Sequence, residues 1–292
     1  MSNLVAVSLL TSMGILAGLV VWCGVSAALL RRWGHFRLDS VVGPLRVMAG
    51  ESPWILLAIL LVSLSTGALA ARVVVDTWDV SKTHQPFVVT IAMSMVGAAM
   101  ALAGVRLFKQ GGLRSIGLEW RTLWPALTQA AGGFLLVLPV VYLVAMIAQV
   151  IAEALGRPPE PHGLLEAIGT SANPVATMVL VSAAVIVAPI YEELMFRGLL
   201  QTMLMRLLTG PRDPELPVGS RVQGRWQAIL ITSLLFSAAH LELAFIPPLF
   251  VLSAGLGYAY ERTGRLWVPM GMHALFNATQ IGWFVVLLNQ AG

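Results

Sequence analysis

An apolar stretch that carries three charged residues constrains this chain most. Residues 174–208 form one long apolar run, and Glu192, Glu193 and Arg197 lie within it. Facing lipid at a bilayer centre, each charge would cost about 2.5 to 3.5 kcal/mol, or roughly 8 to 10 kcal/mol together. The three side chains must therefore face protein. On a helix Glu193 can pair with Arg197 one turn away, whereas Glu192 points about 100° away from Glu193 and has no local cation.

The composition indicates a polytopic membrane protein, with a lipid bilayer as its surroundings. Of 292 residues, 58% are hydrophobic and only 11% are charged. The basic residues lie in short loops between apolar runs, so the net charge does not indicate a nucleic-acid partner. Cys23 is the single cysteine, which excludes a disulfide framework and a cysteine-based zinc site.

Eight apolar runs are long enough to be candidate membrane spans, which predicts an all-α bundle of about eight transmembrane helices. Pro189 in the middle of the fifth run predicts a kink. Pro247 and Pro248 open the seventh run, which we expect to be tilted or partly re-entrant. The predicted spans are residues 4–30, 54–75, 87–108, 125–151, 174–208, 226–243, 245–260 and 266–288.

The distribution of basic residues predicts the orientation. Fourteen of the eighteen Lys and Arg residues fall in alternate loops, three fall in the other loops, and Arg197 is intramembrane. By the positive-inside rule both termini are outside and the basic loops are cytoplasmic. One of these loops, residues 113–124, places Leu113, Ile116, Trp120 and Trp124 on one helical face. This pattern predicts a short interfacial helix, with an ordinary loop as the alternative.

Two histidines and an asparagine are the other candidates for intramembrane chemistry. His240 lies in the sixth run, and His273 and Asn277 share one face of the eighth. Counted from the nearest cytoplasmic arginines, Glu192, His240 and His273 lie about 21, 22 and 12 Å along their helices. His273 counts as shallower, but helix tilt and an interfacial stretch around Trp267 and Pro269 would bring it to the level of the other two. Polar groups at a common depth on three helices each cost desolvation unless they satisfy one another. We therefore predict a functional site, whereas His35, His84 and His162 are predicted to be solvated loop residues.

These residues resemble the three motifs of the CPBP family, which includes type II CAAX prenyl endopeptidases and abortive-infection proteins. The resemblance covers about residues 174–288 and extends to the residues around each motif. The motifs are EExxxR at Glu192, Glu193 and Arg197, FxxxH at Phe236 and His240, and HxxxN at His273 and Asn277.

The resemblance implies an eight-helix intramembrane endopeptidase in a prokaryotic cytoplasmic membrane. Its expected substrate is a peptide or a membrane-associated or prenylated-type protein. Residues 1–170 would be N-terminal transmembrane helices with the interfacial helix, and residues 174–289 the catalytic core. It implies that Glu192, His240, His273 and Asn277 form the site, with Glu193, Arg197 and Phe236 in support. Compatible roles are Glu192 as general base, His240 as water holder, and His273 with Asn277 as oxyanion donors.

The cofactor and the activity each leave alternatives. Glu192, His240 and His273 would suit an open catalytic site for a divalent metal such as zinc, but the absence of an HExxH pattern favours a metal-free mechanism. A non-catalytic bacteriocin-immunity or membrane binding protein is the alternative function. A proton-coupled transporter is a third function class, disfavoured because the chain shows no internal repeat.

Overall fold

A computed structural model describes residues 17–28, 52–77, 85–156, 163–170, 173–209 and 218–291. Throughout these ranges the regular structure is helical, as the sequence predicts. The helices are α1 (Ala17–Ala28), α2 (Pro53–Thr77), α3 (Gln85–Phe108), α4 (Leu123–Ala154), α5 (Gly163–Thr170), α6 (Pro174–Thr209), α7 (Val218–Ala238), α8 (Ile246–Thr263) and α9 (Trp267–Ala291). His35, His84 and His162 lie outside the described residues, as do most of the first predicted span and residues 157–162.

Five helices in the described part of the chain are long and apolar enough to cross a membrane, so this is an integral membrane protein. They are α2, α3, α4 with its preceding turns, α6, and α8 with its preceding turn. Helices α7 and α9, which carry more polar side chains, are not among them, and the predicted count of about eight is not confirmed. Helix α7 also begins earlier than predicted, at Val218, so Arg221 and Arg225 lie within it.

Helix α6 runs unbroken through Pro189 for 36 residues. Two π-helical segments, Ala183–Val187 and Leu194–Gln201, flank the short α-helical stretch Ala188–Glu193. A proline ring clashes with the carbonyl four residues earlier in a regular helix, and a wider π turn relieves that clash. The predicted proline kink therefore takes the form of a π segment immediately before Pro189, and the charged residues follow it.

The predicted interfacial helix at residues 113–124 is wrong. The chain instead forms two short 3-10 segments, Gly112–Ile116 and Trp120–Thr122. They are separated at Gly117, whose φ of 78° is left-handed. A Cβ atom at Gly117 would overlap the backbone of the turn between α8 and α9, because the connector packs directly on that turn. Ile116 is fully buried there, which an exposed amphipathic helix would not allow.

The start of α8 does not form the re-entrant segment that the two prolines suggest, and the alternative of a tilted helix stays a prediction. A 3-10 turn, Leu243–Phe245, leads into a regular α-helix whose prolines occupy its first positions. Proline is tolerated there because the first helical N–H groups have no intrahelical partner.

The core joins the early helices to the segment that carries the motifs. One buried cluster packs Leu56 of α2 and Ala101 of α3 against Leu194 and Leu199 of α6. A second packs α4 against α8 and α9. The early helices therefore support α6 and α9, on which most of the predicted site residues lie.

Candidate active site

The predicted ion pair between Glu193 and Arg197 forms on α6. Arg197 Nη1 donates to Glu193 Oε1 at 2.8 Å, and both side chains are completely buried. Arg197 also crosses to α8, where Nη2 donates to the Ser253 hydroxyl at 2.7 Å and to the Ser253 carbonyl at 3.1 Å. Its guanidinium carbon lies 4.8 Å from the centre of the Phe236 ring. The buried cation is thus held by a carboxylate, a serine and an aromatic face.

His273 of α9 lies between the two glutamates. Its Nδ1 is 2.9 Å from Glu193 Oε1, and its Nε2 is 3.9 Å from Glu192 Oε2. Since a carboxylate only accepts hydrogen bonds, the shorter contact assigns the proton on Nδ1 to a bond with Glu193. Nε2 is therefore the ring atom that faces Glu192. Sequence reasoning missed this contact, because it treated Glu193 as a partner of Arg197 alone.

Glu192 is the carboxylate without a cation on its own helix, as the sequence predicts. Its side chain is 24% exposed, unlike the fully buried Glu193. Its Oε2 atom is buried and accepts no hydrogen bond. Glu192 therefore combines limited access from outside with an oxygen atom that is available as a base.

The Phe236 ring of α7 connects both predicted histidines with the buried cation. It lies 4.9 Å from the His240 ring, 5.8 Å from the His273 ring and 5.1 Å from the Phe196 ring, centre to centre. His240 follows the end of α7, where Nδ1 lies 2.9 Å from the Phe236 carbonyl, which can only accept. His240 Nε2 is then free to accept a hydrogen bond. Its side chain is exposed, whereas that of His273 is buried.

Asn277 contacts the backbone of α6 one turn along α9 from His273. Its Nδ2 donates to the Ala184 carbonyl at 2.8 Å. In this π segment the N–H of Ala188 bonds the carbonyl of Ala183, five residues earlier. The next carbonyl, that of Ala184, would require an N–H at position 189, and proline has none. Asn277 supplies the missing donor, so one of its amide hydrogens is already engaged.

The predicted site residues fall into one connected group. Glu192, Glu193 and Arg197 meet His273 directly, Phe236 adjoins this cluster and His240, and Asn277 lies one turn further on. Ser253 is the polar neighbour that the sequence did not reveal. A lone serine in an apolar helix ordinarily bonds a carbonyl of its own helix, so its residue type carried no signal.

The hypothesis of a metal bound by Glu192, His240 and His273 finds no matching geometry. No group of three His, Cys, Asp or Glu side chains within the described ranges is placed to hold a metal ion. The Nδ1 atoms of the two histidines bond Glu193 and the Phe236 carbonyl, so Nε2 is the atom of each ring that a metal could use. The three candidate ligands are not gathered around one point in the described structure, and the chemistry proposed below includes no step through a metal.

The fold and site define an integral membrane protein in which glutamate and arginine of α6 form a buried cluster with a histidine of α9. Residues 174–279 match the family model described as type II CAAX prenyl endopeptidase Rce1-like. This match to part of the chain is consistent with the resemblance of its motifs to the CPBP family. No curated protein and no solved structure gives a significant match to the chain. The family match indicates an intramembrane protease of the CAAX type.

Proposed function

We propose that this protein is an intramembrane endopeptidase in which Glu192 activates water for attack on a peptide bond. The observation that carries the proposal is the contact between Glu192 and His273. Glu192 Oε2 is buried, accepts no hydrogen bond, and lies 3.9 Å from His273 Nε2. A direct hydrogen bond is shorter than this distance, whereas a water molecule can contact both atoms.

The chemistry assigns one role to each polar group. Glu192 removes a proton from the water, and the water oxygen attacks the carbonyl carbon of the peptide bond. The carbonyl electron pair moves to the carbonyl oxygen. The oxyanion electron pair then re-forms the carbonyl bond as the carbon–nitrogen bond breaks, and the leaving amine takes the proton from Glu192. Buried donors that stabilise the intermediate oxyanion act more strongly than they would in water.

His273 and Asn277 are the proposed oxyanion donors, and His240 the proposed water holder. The second amide hydrogen of Asn277 is not needed for its bond to the Ala184 carbonyl. His273 can donate from Nε2 when that atom is protonated, because Glu193 already accepts from Nδ1. His240 offers Nε2 as an acceptor to water entering from the exposed end of α7.

A membrane-associated substrate suits this placement, because α6 is one of the apolar helices that can cross a membrane. From the family description we propose a membrane-associated substrate with a prenylated CAAX segment. From the loop charges we propose a prokaryotic cytoplasmic membrane, with both termini outside and the active site within the membrane.

The test is cleavage by the purified full chain in proteoliposomes. Quenched fluorescent peptides ending in a farnesylated CAAX sequence would be compared with the same peptides without the lipid. We expect cleavage of the farnesylated peptide, its loss in Glu192→Gln, and its retention in Glu153→Gln, a control at an exposed carboxylate on α4. Peptide binding without cleavage by folded protein would favour the binding-protein alternative, and normal cleavage by Glu192→Gln would exclude Glu192 as the base.

A further inference from the structure

The contact between Arg197 and Ser253 links α6 to α8 through a completely buried group. Ser253 presents two acceptors, its hydroxyl and its carbonyl, to the same guanidinium nitrogen, Nη2. Ser253 is fully buried. Ser63, Ser115, Ser233 and Ser237, by contrast, each donate to a carbonyl of their own helical segment. Ser253 therefore has a structural role that these serines lack.

This contact changes the way in which Arg197 pairs with Glu193. An arginine beside a carboxylate commonly forms two parallel hydrogen bonds, one to each oxygen. Here only Nη1 bonds Glu193, and it uses Oε1. Arg197 Nε and Glu193 Oε2 are both buried and have no hydrogen-bond partner. The two-point pairing is thus absent although both groups have unused capacity for it, and Nη2 is directed to Ser253.

The one-point pairing leaves Glu193 Oε1 with two donors. It accepts from Arg197 at 2.8 Å and from His273 Nδ1 at 2.9 Å. A guanidinium that also bonded Oε2 would rotate the Glu193 carboxylate into its own plane, and this rotation would move Oε1 away from His273 Nδ1. We propose that Ser253 is a positioning residue that holds Arg197 away from two-point pairing, so that Glu193 fixes His273 with Nε2 toward Glu192.

The positioning is a property of the resting protein, and only its consequence for turnover rests on the proposed function. In Ser253→Ala one of the two acceptors of Nη2 is lost, and Arg197 can rotate toward Glu193. His273 then loses its fixed acceptor, and the share of its Nδ1–H tautomer falls. Misplacement of a group at a reaction centre lowers the rate by about 10- to 100-fold. We expect that fall in kcat with little change in KM, because Ser253 is buried away from any peptide.

The first measurement uses the ring nitrogens of His273 and requires no substrate. The full chain, labelled with ring-¹⁵N histidine, would be placed in lipid nanodiscs, and the His273 signals identified by their loss in His273→Gln. Wild type and Ser253→Thr, which keeps the hydroxyl, should show one Nδ1–H tautomer. Ser253→Ala should show a mixture. Ser233→Ala is the matched control, since Ser233 is also buried but bonds its own helix, and it should match wild type.

The outcomes distinguish this proposal from the proposed function. An unchanged His273 tautomer in Ser253→Ala would overturn the proposal, as would a mixture in Ser233→Ala of the same size. If Ser253→Ala does not fold, the proposal is tested by Ser253→Thr, and a mixture in that folded variant would overturn it. A tautomer change in Ser253→Ala in a protein that cleaves no peptide would support the positioning while refuting the protease.

Discussion

The two adjacent glutamates should respond in opposite ways to the same substitution. In Glu193→Gln the buried Arg197 loses its counter-charge, and His273 loses a carboxylate acceptor. Removing one partner of a buried ion pair typically lowers the free energy of unfolding by about 3 to 5 kcal/mol. At roughly 2 to 4 °C per kcal/mol for a chain of this size, the melting temperature should fall on the order of 10 °C.

Glu192→Gln should leave stability intact. Glu192 Oε2 accepts no hydrogen bond, and the nearest basic atom, His273 Nε2, is 3.9 Å away. The substitution keeps the size of the side chain and removes a charge that is partly desolvated without a close partner. The melting temperature should stay within a few degrees of wild type, or rise, while cleavage is lost because the base is gone.

The assay is thermal unfolding of purified protein in one detergent, followed by cleavage per mole of folded protein. Glu153→Gln serves as the control, since Glu153 is exposed on α4 and its substitution should change neither quantity. Equal melting temperatures for the two glutamine variants would refute the assignment of separate roles. A wild-type melting temperature for Glu193→Gln would show that Arg197 does not depend on this carboxylate.

Two further predictions concern the backbone around the site. Asn277→Ala should lower the free energy of unfolding by about 1 to 3 kcal/mol, because the Ala184 carbonyl loses its donor. Pro189→Ala, added to that variant, should recover part of the loss because it restores an N–H at position 189. A thermal-stability double-mutant cycle measures this coupling, and strictly additive effects would contradict it. Gly117→Ala should destabilise by at least about 1 to 2 kcal/mol because its φ is 78° and its Cβ would meet backbone. Gly132→Ala, at an open helical position, should be neutral or stabilising in the same melting assay, and equal effects would refute the packing argument.

The local geometry of the first motif could be predicted from sequence, and the connection between the motifs only in part. The pairing of Glu193 with Arg197 follows from one helical turn, so it requires no knowledge of the fold. The meeting of the three motifs was predicted because isolated polar groups in apolar helices are costly. That argument brings residues to one place, but it does not assign partners. It therefore missed the bond from His273 to Glu193.

The remaining errors come from backbone forms that have no clear sequence signal. An apolar period at residues 113–124 favoured a helix, although Gly111, Gly112 and Gly117 adopt positive φ and bracket a short 3-10 turn. Glycine at both ends of so short a segment was the available sign of a tight turn. The π segments of α6 depend on packing around Pro189, and a proline in an apolar run equally predicts a simple kink.

The two wide segments of α6 explain why the motifs must act as one unit. A π segment disturbs the regular pairing of carbonyls, and here two carbonyls accept from side chains instead. Ala184 accepts from Asn277 at 2.8 Å, and Arg197 accepts from the Thr202 hydroxyl at 2.9 Å. His273 and Asn277 thus hold the stretch that carries Glu192 at two points, one through a side chain and one through the backbone. Substitutions in the α6 motif should therefore change the geometry of the α9 motif, and the reverse should also hold. The effects of substitutions in the two motifs on activity should then not add.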